Sequence, residues 1–429
     1  MTDTIFALSS GQAPSAIGVI RVSGPQSGTA LKLLCGKIPQ ARRATVSLFS
    51  DPETGDALDR GLVLWFPGPG TATGEDLAEF HCHGGRAVTA VIMAALEKVD
   101  GLRLAAPGEF TRRAYENGRI DLSEAEGLSD LLFAETESQR RAAMAMAEGH
   151  FSRRVAGWQE RLLALSAMTE AALDFSDEDD VLDAGIEARI GQGVEVLLSE
   201  LRGELERPSA ETLRDGIRVV LAGPPNAGKS TLLNALVGRD AAIVSDIAGT
   251  TRDRIEVPAA INGIPYLFTD TAGLREDSGD AIEAVGIARA EEAVRAADIV
   301  LWLGDPGACP RSDAVKISAK SDELGWTGPA GADLALSAQS GEGMDALVGL
   351  ISERASRLIP GEGSYALHAR QRKEMMVMLA QLEAALNTSD LLMFAEHLRL
   401  ARGAVDALTG RAGTEDMLDA LFGKFCIGK

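Results

Sequence analysis

Residues 218–236 read RVVLAGPPNAGKSTLLNAL, and this stretch predicts a strand, a tight loop and a helix in succession. Gly223, Gly228, Lys229 and Ser230 follow the phosphate-loop pattern G-x-x-x-x-G-K-[ST]. The glycines permit the tight wrap, while successive main-chain N–H groups and the helix N-terminus hold phosphate oxygens. Lys229 is predicted to reach the β and γ phosphates, and the Ser230 hydroxyl is predicted to ligate Mg²⁺. The stretch therefore predicts a nucleoside triphosphatase.

Two segments further along the chain supply the parts of a nucleotide switch. Residues 245–253 read SDIAGTTRD, in which Thr250 and Thr251 offer hydroxyls for a second Mg²⁺ ligand. Residues 270–273 read DTAG at the end of the apolar run IPYLFTD. Asp270 can hold the Mg²⁺ shell there, and the Gly273 N–H can sense the γ-phosphate. The three segments in this order predict a switch-type NTPase.

Base choice depends on residues 319–322, which read AKSD where a guanine-reading loop usually has N-K-x-D. Asp322 can accept hydrogen bonds from guanine N1 and N2, and Lys320 can lie along the ring. An adenine would leave that carboxylate unpaired, so the sequence favours GTP over ATP. Ala319 lacks the usual amide, which predicts weaker discrimination by about 1–3 kcal/mol. The loop expected to meet guanine O6 comprises Ser337, Ala338 and Gln339.

Composition limits the broad class of protein. A chain of 429 residues predicts two or three domains. Its 42 Lys and Arg against 63 Asp and Glu give a net charge of −21, which argues against attraction of nucleic acid or anionic lipid to the whole surface. A local basic face is still allowed by the nearby arginines Arg112, Arg113, Arg119, Arg140 and Arg141.

Targeting and metal signals are weak. The N-terminus lacks a basic region followed by an apolar run, and no stretch of about eighteen apolar residues occurs, so we expect a cytoplasmic protein with no membrane partner. The four cysteines are scattered and are expected to be reduced. The segment EFHCHGG does not predict a metal site, because no further Cys or His cluster supplies the remaining ligands.

The pattern of apolar residues changes three times along the chain. The first 118 or so residues alternate β-type runs with helical stretches, and residues 121–206 read as long helices. From Ile217 five candidate strands of a doubly wound sheet follow: IRVVLAG, IPYLFTDTAG, DIVLWLGD, AVKISAK and ADLALSAQ. Helical composition returns after about Pro360. The order predicts an α/β domain inserted into a helical one.

These segments resemble the MnmE family of tRNA-modification GTPases, also called TrmE. The segments GPPNAGKST, DIAGTTRD and DTAGLRE look like its first three nucleotide motifs, and FCIGK at residues 425–429 matches its C-terminal motif. The likeness also covers DTIFALSSGQAPSAIGVIRVSG, TGEDLAEFHCHGG and APGEFTRRAYENGRIDLSEAEGLSDLL. The combination of a phosphate loop with FCIGK is far more specific than the loop alone.

The resemblance implies α/β and α multidomain architecture in four segments. These are a tetrahydrofolate-binding and dimerisation domain (1–118), a helical domain (119–208 and 359–429) and an inserted P-loop G domain (209–358). It also implies a homodimer that joins the flavoprotein MnmG, which carries the FAD, in a heterotetramer. Together they would add an aminomethyl or carboxymethylaminomethyl group to C5 of a tRNA wobble uridine; no DNA partner is expected.

The resemblance assigns residues to each ligand. A tetrahydrofolate derivative, in its 5-formyl or 5,10-methylene form, would contact Arg21, Glu79, Arg119 and Lys429. Phe425 and Ile427 would anchor the tail so that the catalytic thiol of Cys426 lies near the one-carbon centre. Arg119 stands where lysine is frequent in the family, which keeps the charge but changes the contact. The GTP-binding set would be Asn226, Ala227, Gly228, Lys229, Ser230, Thr231, Ser245, Asp246, Ile247, Ala248, Gly249, Thr250, Thr251, Asp270, Thr271, Ala272, Gly273, Lys320, Asp322, Ser337, Ala338 and Gln339.

Hydrolysis needs a source of positive charge and a group that orients water. Leu274 follows the DTAG segment, so no glutamine is available there. By resemblance, a K⁺ ion would replace the arginine finger used by other GTPases, and Glu283 would orient the water, with Lys229 and Asp270 as the other catalytic residues. The K⁺ ligands would be Asn226, Ser245, Ile247 and Thr250, and the Mg²⁺ ligands Ser230 and Thr251.

Three other functions remain open from sequence. A ribosome-assembly or regulatory GTPase would share every nucleotide motif, and binding of a formylated tetrahydrofolate distinguishes it. A folate-dependent aminomethyl-transfer enzyme with an inserted NTPase would turn over without a flavoprotein. A plain ATPase is kept open by Ala319 and is tested by nucleotide competition.

Overall fold

The structure is a computed structural model that describes residues 3–174, 185–240, 256–271, 289–323, 325–361, 363–411 and 415–428. It forms two compact units. The first comprises the described residues within 1–129 and 406–429, and the second comprises those within 130–405. In the described part of the chain, no helix is both long and apolar enough to cross a membrane.

The first unit is built on a six-stranded sheet. Its strands are β1 (Thr4–Leu8), β2 (Ile17–Ser23), β3 (Thr45–Ser50), β4 (Ala57–Phe66), β5 (Leu77–His83) and β6 (Leu102–Leu104). They lie in the order β3-β4-β5-β2-β1-β6, with β1 and β6 parallel and the other neighbours antiparallel. The predicted β-type runs AIGVIRVSG and GLVLWFPG are thereby confirmed as β2 and β4.

Helices cover one face of this sheet. They are α1 (Ser27–Cys35) and α2 (Arg86–Glu97), and α2 confirms the helix predicted from AVTAVIMAALEKV. Their apolar sides meet those of the strands in one core, which includes Phe6, Ile20, Leu31, Phe80 and Ile92. Since side chains alternate along a strand, the other face of β2 and β5 presents polar residues.

The C-terminal segment packs on helices of the same unit. Those helices are α3 (Glu109–Glu116), α4 (Leu122–Phe133) and α14 (Glu415–Phe422). A small apolar cluster joins α4 and α14 to the residues beyond, and it comprises Leu122, Ala125, Leu418, Phe422 and Phe425. The C-terminal segment is therefore part of the folded core up to Phe425.

Helices fill the described part of residues 121–206, as predicted. After α4 they are α5 (Glu137–Ala147), α6 (His150–Asp174) and α7 (Ile186–Leu205), which belong to the second unit and are followed there by the short α8 (Ala210–Asp215). Later helices are α12 (Ala369–Leu386) and α13 (Leu391–Thr409), and α12 coincides with the predicted ARQRKEMMVMLAQLEAAL. Helices α7 and α12 pack together, so segments distant in sequence form one helical group.

A second six-stranded sheet forms the rest of this unit. Its strands are β7 (Ile217–Ala222), β8 (Glu256–Ile261), β9 (Ile264–Asp270), β10 (Ile299–Trp302), β11 (Val315–Ser318) and β12 (Leu334–Ala335). Their order is β12-β11-β10-β7-β9-β8, and every pair but the antiparallel β8 and β9 is parallel. The flanking helices are α9 (Lys229–Asp240), α10 (289–296 as far as described) and α11 (Met344–Ser356). All five predicted strands are confirmed, and the sheet is doubly wound as expected.

The sequence analysis missed β8, which pairs with β9 as a hairpin. Asn262 and Gly263 form the turn with φ of 52° and 74°. An Asn-Gly pair between apolar runs is the strongest local sign of such a hairpin, so the signal was present in INGIP. The main-chain N–H of Ser138, in α5, donates to the Gly263 carbonyl at 3.1 Å. This hydrogen bond attaches the helical group to the hairpin.

Candidate functional site

The phosphate loop has the backbone that the sequence predicted. It leaves β7 at Ala222 and enters α9 at Lys229, so the loop lies at the carboxyl end of a central parallel strand. Gly223 and Gly228 have φ of 146° and 94°, and a Cβ on Gly223 would lie 3.0 Å from the main chain of Leu303. Side chains at these two positions would strain the loop, which explains the glycines.

Lys229 and Ser230 point into the loop region. Lys229 is buried, and its Nζ donates to the carbonyls of Gly223 at 3.1 Å and Pro224 at 2.9 Å. The Ser230 hydroxyl donates to the Asp270 carboxylate at the end of β9. A hydroxyl and a carboxylate side by side are the hard oxygen ligands that Mg²⁺ prefers, so these residues fit that ion.

The segment predicted to read the base lies beside the phosphate loop. One cleft of about 520 Å³ is lined by loop residues, by residues 319, 320, 322 and 323, and by residues 336–339. From the predicted set the lining includes Asn226, Ala227, Gly228, Lys229, Ser230, Thr231, Lys320, Asp322, Ser337, Ala338 and Gln339. The Ser321 N–H donates to the Leu336 carbonyl at 3.1 Å and ties the two base-side loops together. The cleft therefore joins a triphosphate-binding end to a base-binding end.

One lining residue was not predicted, and one predicted residue outside the lining has a structural role. Glu323 lines the cleft and lies 3.4 Å from the Lys320 ammonium, and the sequence analysis did not include it. Glu323 directly follows the AKSD segment, and this position was the feature of the sequence that could have identified it as a lining residue. Thr271, predicted to bind nucleotide, donates its hydroxyl to the Leu221 carbonyl at 2.9 Å and is buried. This hydrogen bond fixes the end of β9 next to the loop.

Several predicted residues lie outside the described part of the chain. From the switch segments these are Ser245, Asp246, Ile247, Ala248, Gly249, Thr250, Thr251, Ala272, Gly273, Leu274 and Glu283. The terminal Lys429 of the predicted folate set lies outside it as well. Their roles therefore stay predictions.

A second polar site lies on the face of the first sheet opposite α1 and α2, where Phe110 of α3 packs against Ile5 and Ala7 and lies 5.9 Å from the Arg21 guanidinium. Arg21 on β2 and Glu79 on β5 are register partners, with Arg21 Nη2 and Nε at 3.0 and 3.2 Å from Glu79 Oε1. His81 Nε2 lies 3.1 Å from Glu79 Oε2. Burial acts to raise the pKa of the Glu79 carboxyl, but the hydrogen bond with His81 and the charge of Arg21 outweigh it and the pKa falls below its ordinary value. Glu79 is thus held as a carboxylate acceptor. His81, two residues on, was missed although a period of two predicted a shared face.

Arg119 is held by a loop of the same unit. Its Nε donates to the Thr71 carbonyl at 3.0 Å, and its side chain is otherwise exposed. Asn117 donates to the Thr73 carbonyl at 2.7 Å. Gly74 has φ of 80°, and a Cβ there would lie 2.8 Å from Asn117. The close approach of loop and arginine therefore requires glycine at this position.

The C-terminal tail, residues 425–428 as far as described, is docked on the fold, but only one of its two predicted anchors is buried. Phe425 is 2% exposed and its ring centroid lies 6.2 Å from that of Phe422, which confirms it as an anchor. The Ile427 side chain is 50% exposed, so its predicted anchoring role is wrong; its main chain instead bridges to Pro107. Cys426 is exposed.

Gly428 brings the tail close to β1. It has φ of 96°, and a Cβ there would lie 2.4 Å from the Leu8 carbonyl oxygen. Leu8 pairs with Ile20, the residue before Arg21 on β2. The end of the tail therefore lies near the strand segment that carries the Arg21 and Glu79 pair.

Comparison with known proteins bears on the family of the chain. Residues 4–119 match the family model described as GTP-binding protein TrmE N-terminus, and residues 122–426 match the MnmE helical domain model. Three curated relatives carry the name tRNA modification GTPase MnmE. The protein from Rhizorhabdus wittichii is 59% identical over 100% of this chain and 97% of its own length. The proteins from Erythrobacter litoralis and Novosphingobium aromaticivorans are 56% and 54% identical, each over 100% of both chains.

Proposed function

This chain belongs to the MnmE family of tRNA modification GTPases, and we propose that it works with the flavoprotein MnmG to modify C5 of the tRNA wobble uridine. As a family member it is a GTP hydrolase that takes part in tRNA modification. The group added is an aminomethyl or carboxymethylaminomethyl group whose one-carbon unit comes from a tetrahydrofolate. The observation that carries the GTPase part is the single cleft formed by the phosphate loop and the base-side loops.

Within this proposal the chain's own residues bind and orient the triphosphate. The N–H groups of the phosphate loop and of the start of α9 donate hydrogen bonds to phosphate oxygens. Lys229 exchanges its hydrogen bonds with the Gly223 and Pro224 carbonyls for bonds to phosphate. Ser230 and Asp270 would hold Mg²⁺, with Thr251 as a further ligand, and the ion supplies positive charge to the β and γ phosphates when bound.

The folate part of the proposal uses the first unit. The Glu79 carboxylate suits the N–H donors of a pterin ring, and the Arg21 guanidinium fixes that carboxylate. Arg119 and Lys429 would add positive charge for the acidic end of a 5-formyl or 5,10-methylene tetrahydrofolate. Cys426 is exposed at the docked tail, which agrees with a thiol near the one-carbon centre.

The assembly is also proposed. We infer a cytoplasmic homodimer that joins MnmG in a heterotetramer, with FAD on the partner. The division into segments 1–118, 119–208, 209–358 and 359–429 belongs to this proposal. The tRNA is the macromolecular substrate.

The expected result of deleting the gene is loss of the C5 group from wobble uridines. Mass analysis of tRNA nucleosides from the deletion strain measures it, and the wild-type gene supplied on a plasmid should restore the group. Unchanged wobble nucleosides in the deletion strain would remove the tRNA-modification role.

Complementing the deletion strain with the Gly428→Ala variant tests the proposed folate site by the same mass analysis of wobble uridines. The added Cβ would meet the Leu8 carbonyl, so the tail should leave its position and the modification should stay low. Hydrolysis of GTP by the purified variant should be unchanged, since the other unit carries the cleft. Gly403→Ala, at a helical glycine with open space around a new Cβ, is the matched control.

Replacement of NaCl by KCl at equal ionic strength is expected to raise the hydrolysis rate by about 10-fold or more, because charge near the transferred phosphoryl group lowers the barrier. Asn226, which lines the cleft with φ of 59°, would bind the K⁺ together with Ser245, Ile247 and Thr250. Asn226→Ala should abolish the difference between the salts. Equal wild-type rates in NaCl and KCl would reject K⁺ dependence, and with it the idea that Glu283 acts beside a bound cation.

A further inference from the structure

The arginines that the sequence groups together do not form a free basic face. Arg113 is 0% exposed and contacts three carboxylates. Arg112 also pairs with three carboxylates, and Arg140 and Arg141 both pair with Glu137. The positive charge of Arg112 and Arg113 is therefore neutralised within the fold, while Arg119 donates to a main-chain carbonyl and Arg140 and Arg141 share one carboxylate. A cleft with more guanidinium groups than this last pair occurs elsewhere among the described residues.

A basic cleft of about 320 Å³ lies at the start of α6 and the end of α7. We call it the α6–α7 cleft. Its lining consists of His150, Arg153, Arg154, Glu204, Arg207, Gly363, Ser364 and Tyr365. None of the sequence patterns singled it out, because its residues come from three separate segments of the chain.

A buried carboxylate organises the cleft. Glu204 is 1% exposed and lies 3.3 Å from Arg154 Nε and 2.7 Å from Arg207 Nε. The Tyr365 hydroxyl donates to Glu204 at 2.9 Å, and the Arg207 guanidinium lies over the Tyr365 ring at 4.8 Å. These contacts fix both arginines in place, so they lose little side-chain entropy on binding a ligand.

The cleft has an excess of positive charge. Arg154 and Arg207 share one carboxylate, while Arg153 donates to the main-chain carbonyl of Glu148 at 2.9 Å. Three guanidinium groups thus face one carboxylate among the lining residues. Helix α6 begins at His150, so its N-terminus adds partial positive charge. On a chain with a net charge of −21, this cleft is a local site of attraction for anions.

We propose that the α6–α7 cleft binds backbone phosphates of the tRNA substrate, an inference that rests on the proposed function. Guanidinium groups match phosphate geometry and form bidentate hydrogen bonds with it. Tyr365 is covered by Arg207, so the cleft offers phosphate contacts rather than base stacking. The lining presents no large aliphatic side chain, whereas the centre of a protein interface is apolar. RNA is therefore favoured over a protein partner.

Arg153→Ala in the full-length protein tests this proposal. The side chain is exposed and its described hydrogen bond goes to a main-chain carbonyl, so the fold should persist. The probe is a fluorescently labelled, unmodified tRNA transcript with uridine at the wobble position, titrated at several KCl concentrations. We expect the Kd to rise about 3- to 10-fold and the slope of log K against log[salt] to become shallower by about 1.

Three matched variants sharpen the result. Arg399→Ala removes an exposed arginine of the same unit that pairs with Glu396, and it should leave tRNA binding unchanged. Arg153→Lys keeps the charge and should recover most of the affinity. Arg153→Glu should weaken binding further than alanine. Hydrolysis of GTP without tRNA should be unchanged in all of them.

Several outcomes would overturn the proposal. Equal Kd and salt slope for wild type and Arg153→Glu would show that the cleft does not contact tRNA. Weaker binding of the flavoprotein with unaltered tRNA binding would assign the cleft to the protein partner instead. If the wild-type protein together with its flavoprotein binds no tRNA, both the cleft proposal and the tRNA step of the proposed function fail. If the wild-type protein binds tRNA normally and the Arg153 variants bind it equally well, only the cleft proposal is refuted.

Discussion

Lys229→Ala is expected to lower the rate of GTP hydrolysis by about 10³-fold, because a preorganised cation is lost where charge develops on the phosphates. Lys229 is buried in the phosphate loop, and its ammonium already lies against the Gly223 and Pro224 carbonyls. It has only a short distance to move to reach a bound triphosphate. Single-turnover hydrolysis at saturating GTP measures the effect separately from nucleotide affinity.

Lys373→Ala is the matched control for this experiment. Lys373 is an exposed lysine of the same unit, on α12, and does not line the nucleotide cleft. Its variant should hydrolyse GTP at the wild-type rate, and both variants should keep the wild-type melting temperature. A Lys229→Ala protein that retains more than about a tenth of the wild-type rate would show that this cleft is not where hydrolysis occurs.

Asp322→Asn is expected to weaken GTP binding by about 10²- to 10³-fold, since two hydrogen bonds to a charged acceptor are lost. The same change should improve binding of xanthosine triphosphate, because the new amide can donate to the carbonyl that xanthine carries at position 2. Asp322 lines the base end of the cleft, next to Lys320. Competition against a labelled guanosine nucleotide measures both affinities.

Ala319→Asn is the companion variant for base recognition. The Ala319 Cβ lies 4.0 Å from the position a Cβ would take on Gly228, so the side chain faces the phosphate loop. An asparagine there should restore an amide that can hydrogen-bond to the loop, and it should tighten GTP binding. If Asp322→Asn leaves the preference for guanine intact, the base is read by other residues; the plain ATPase alternative gains weight only if the wild-type protein itself shows no preference for guanine.

The sequence predicted the nucleotide cleft well because its parts are local. Residues 223–230 need only a strand before them, a helix after them and glycines at positive φ, and all of these are properties of contiguous residues. The separate AKSD and LSAQ segments follow neighbouring strands β11 and β12, so the parallel order of the sheet brings them together. The hairpin of β8 was missed although Asn262 and Gly263 were visible in the sequence.

The sequence was less informative about the tail. Phe425 and Ile427 are two residues apart in FCIGK, so an extended tail would turn both toward one face and predicts two anchors. The structure buries Phe425 in the cluster with Phe422, while Ile427 stays half exposed and bridges through its main chain to Pro107. The tail therefore does not keep the alternation of a strand, and its neighbours Phe422 and Pro107 come from segments whose contact with it sequence spacing does not reveal.

By itself the sequence determined the family, the five parallel strands of the second sheet and the chemistry of the phosphate loop, since each depends on residue types at short spacing. Only the tertiary structure decided which charges remain available for a ligand. Arg112 meets Asp419, 307 residues away, and Glu204 meets Tyr365, 161 residues away. A charge is neutralised or left for a partner according to its neighbours in space, and folding brings those neighbours from distant parts of the chain.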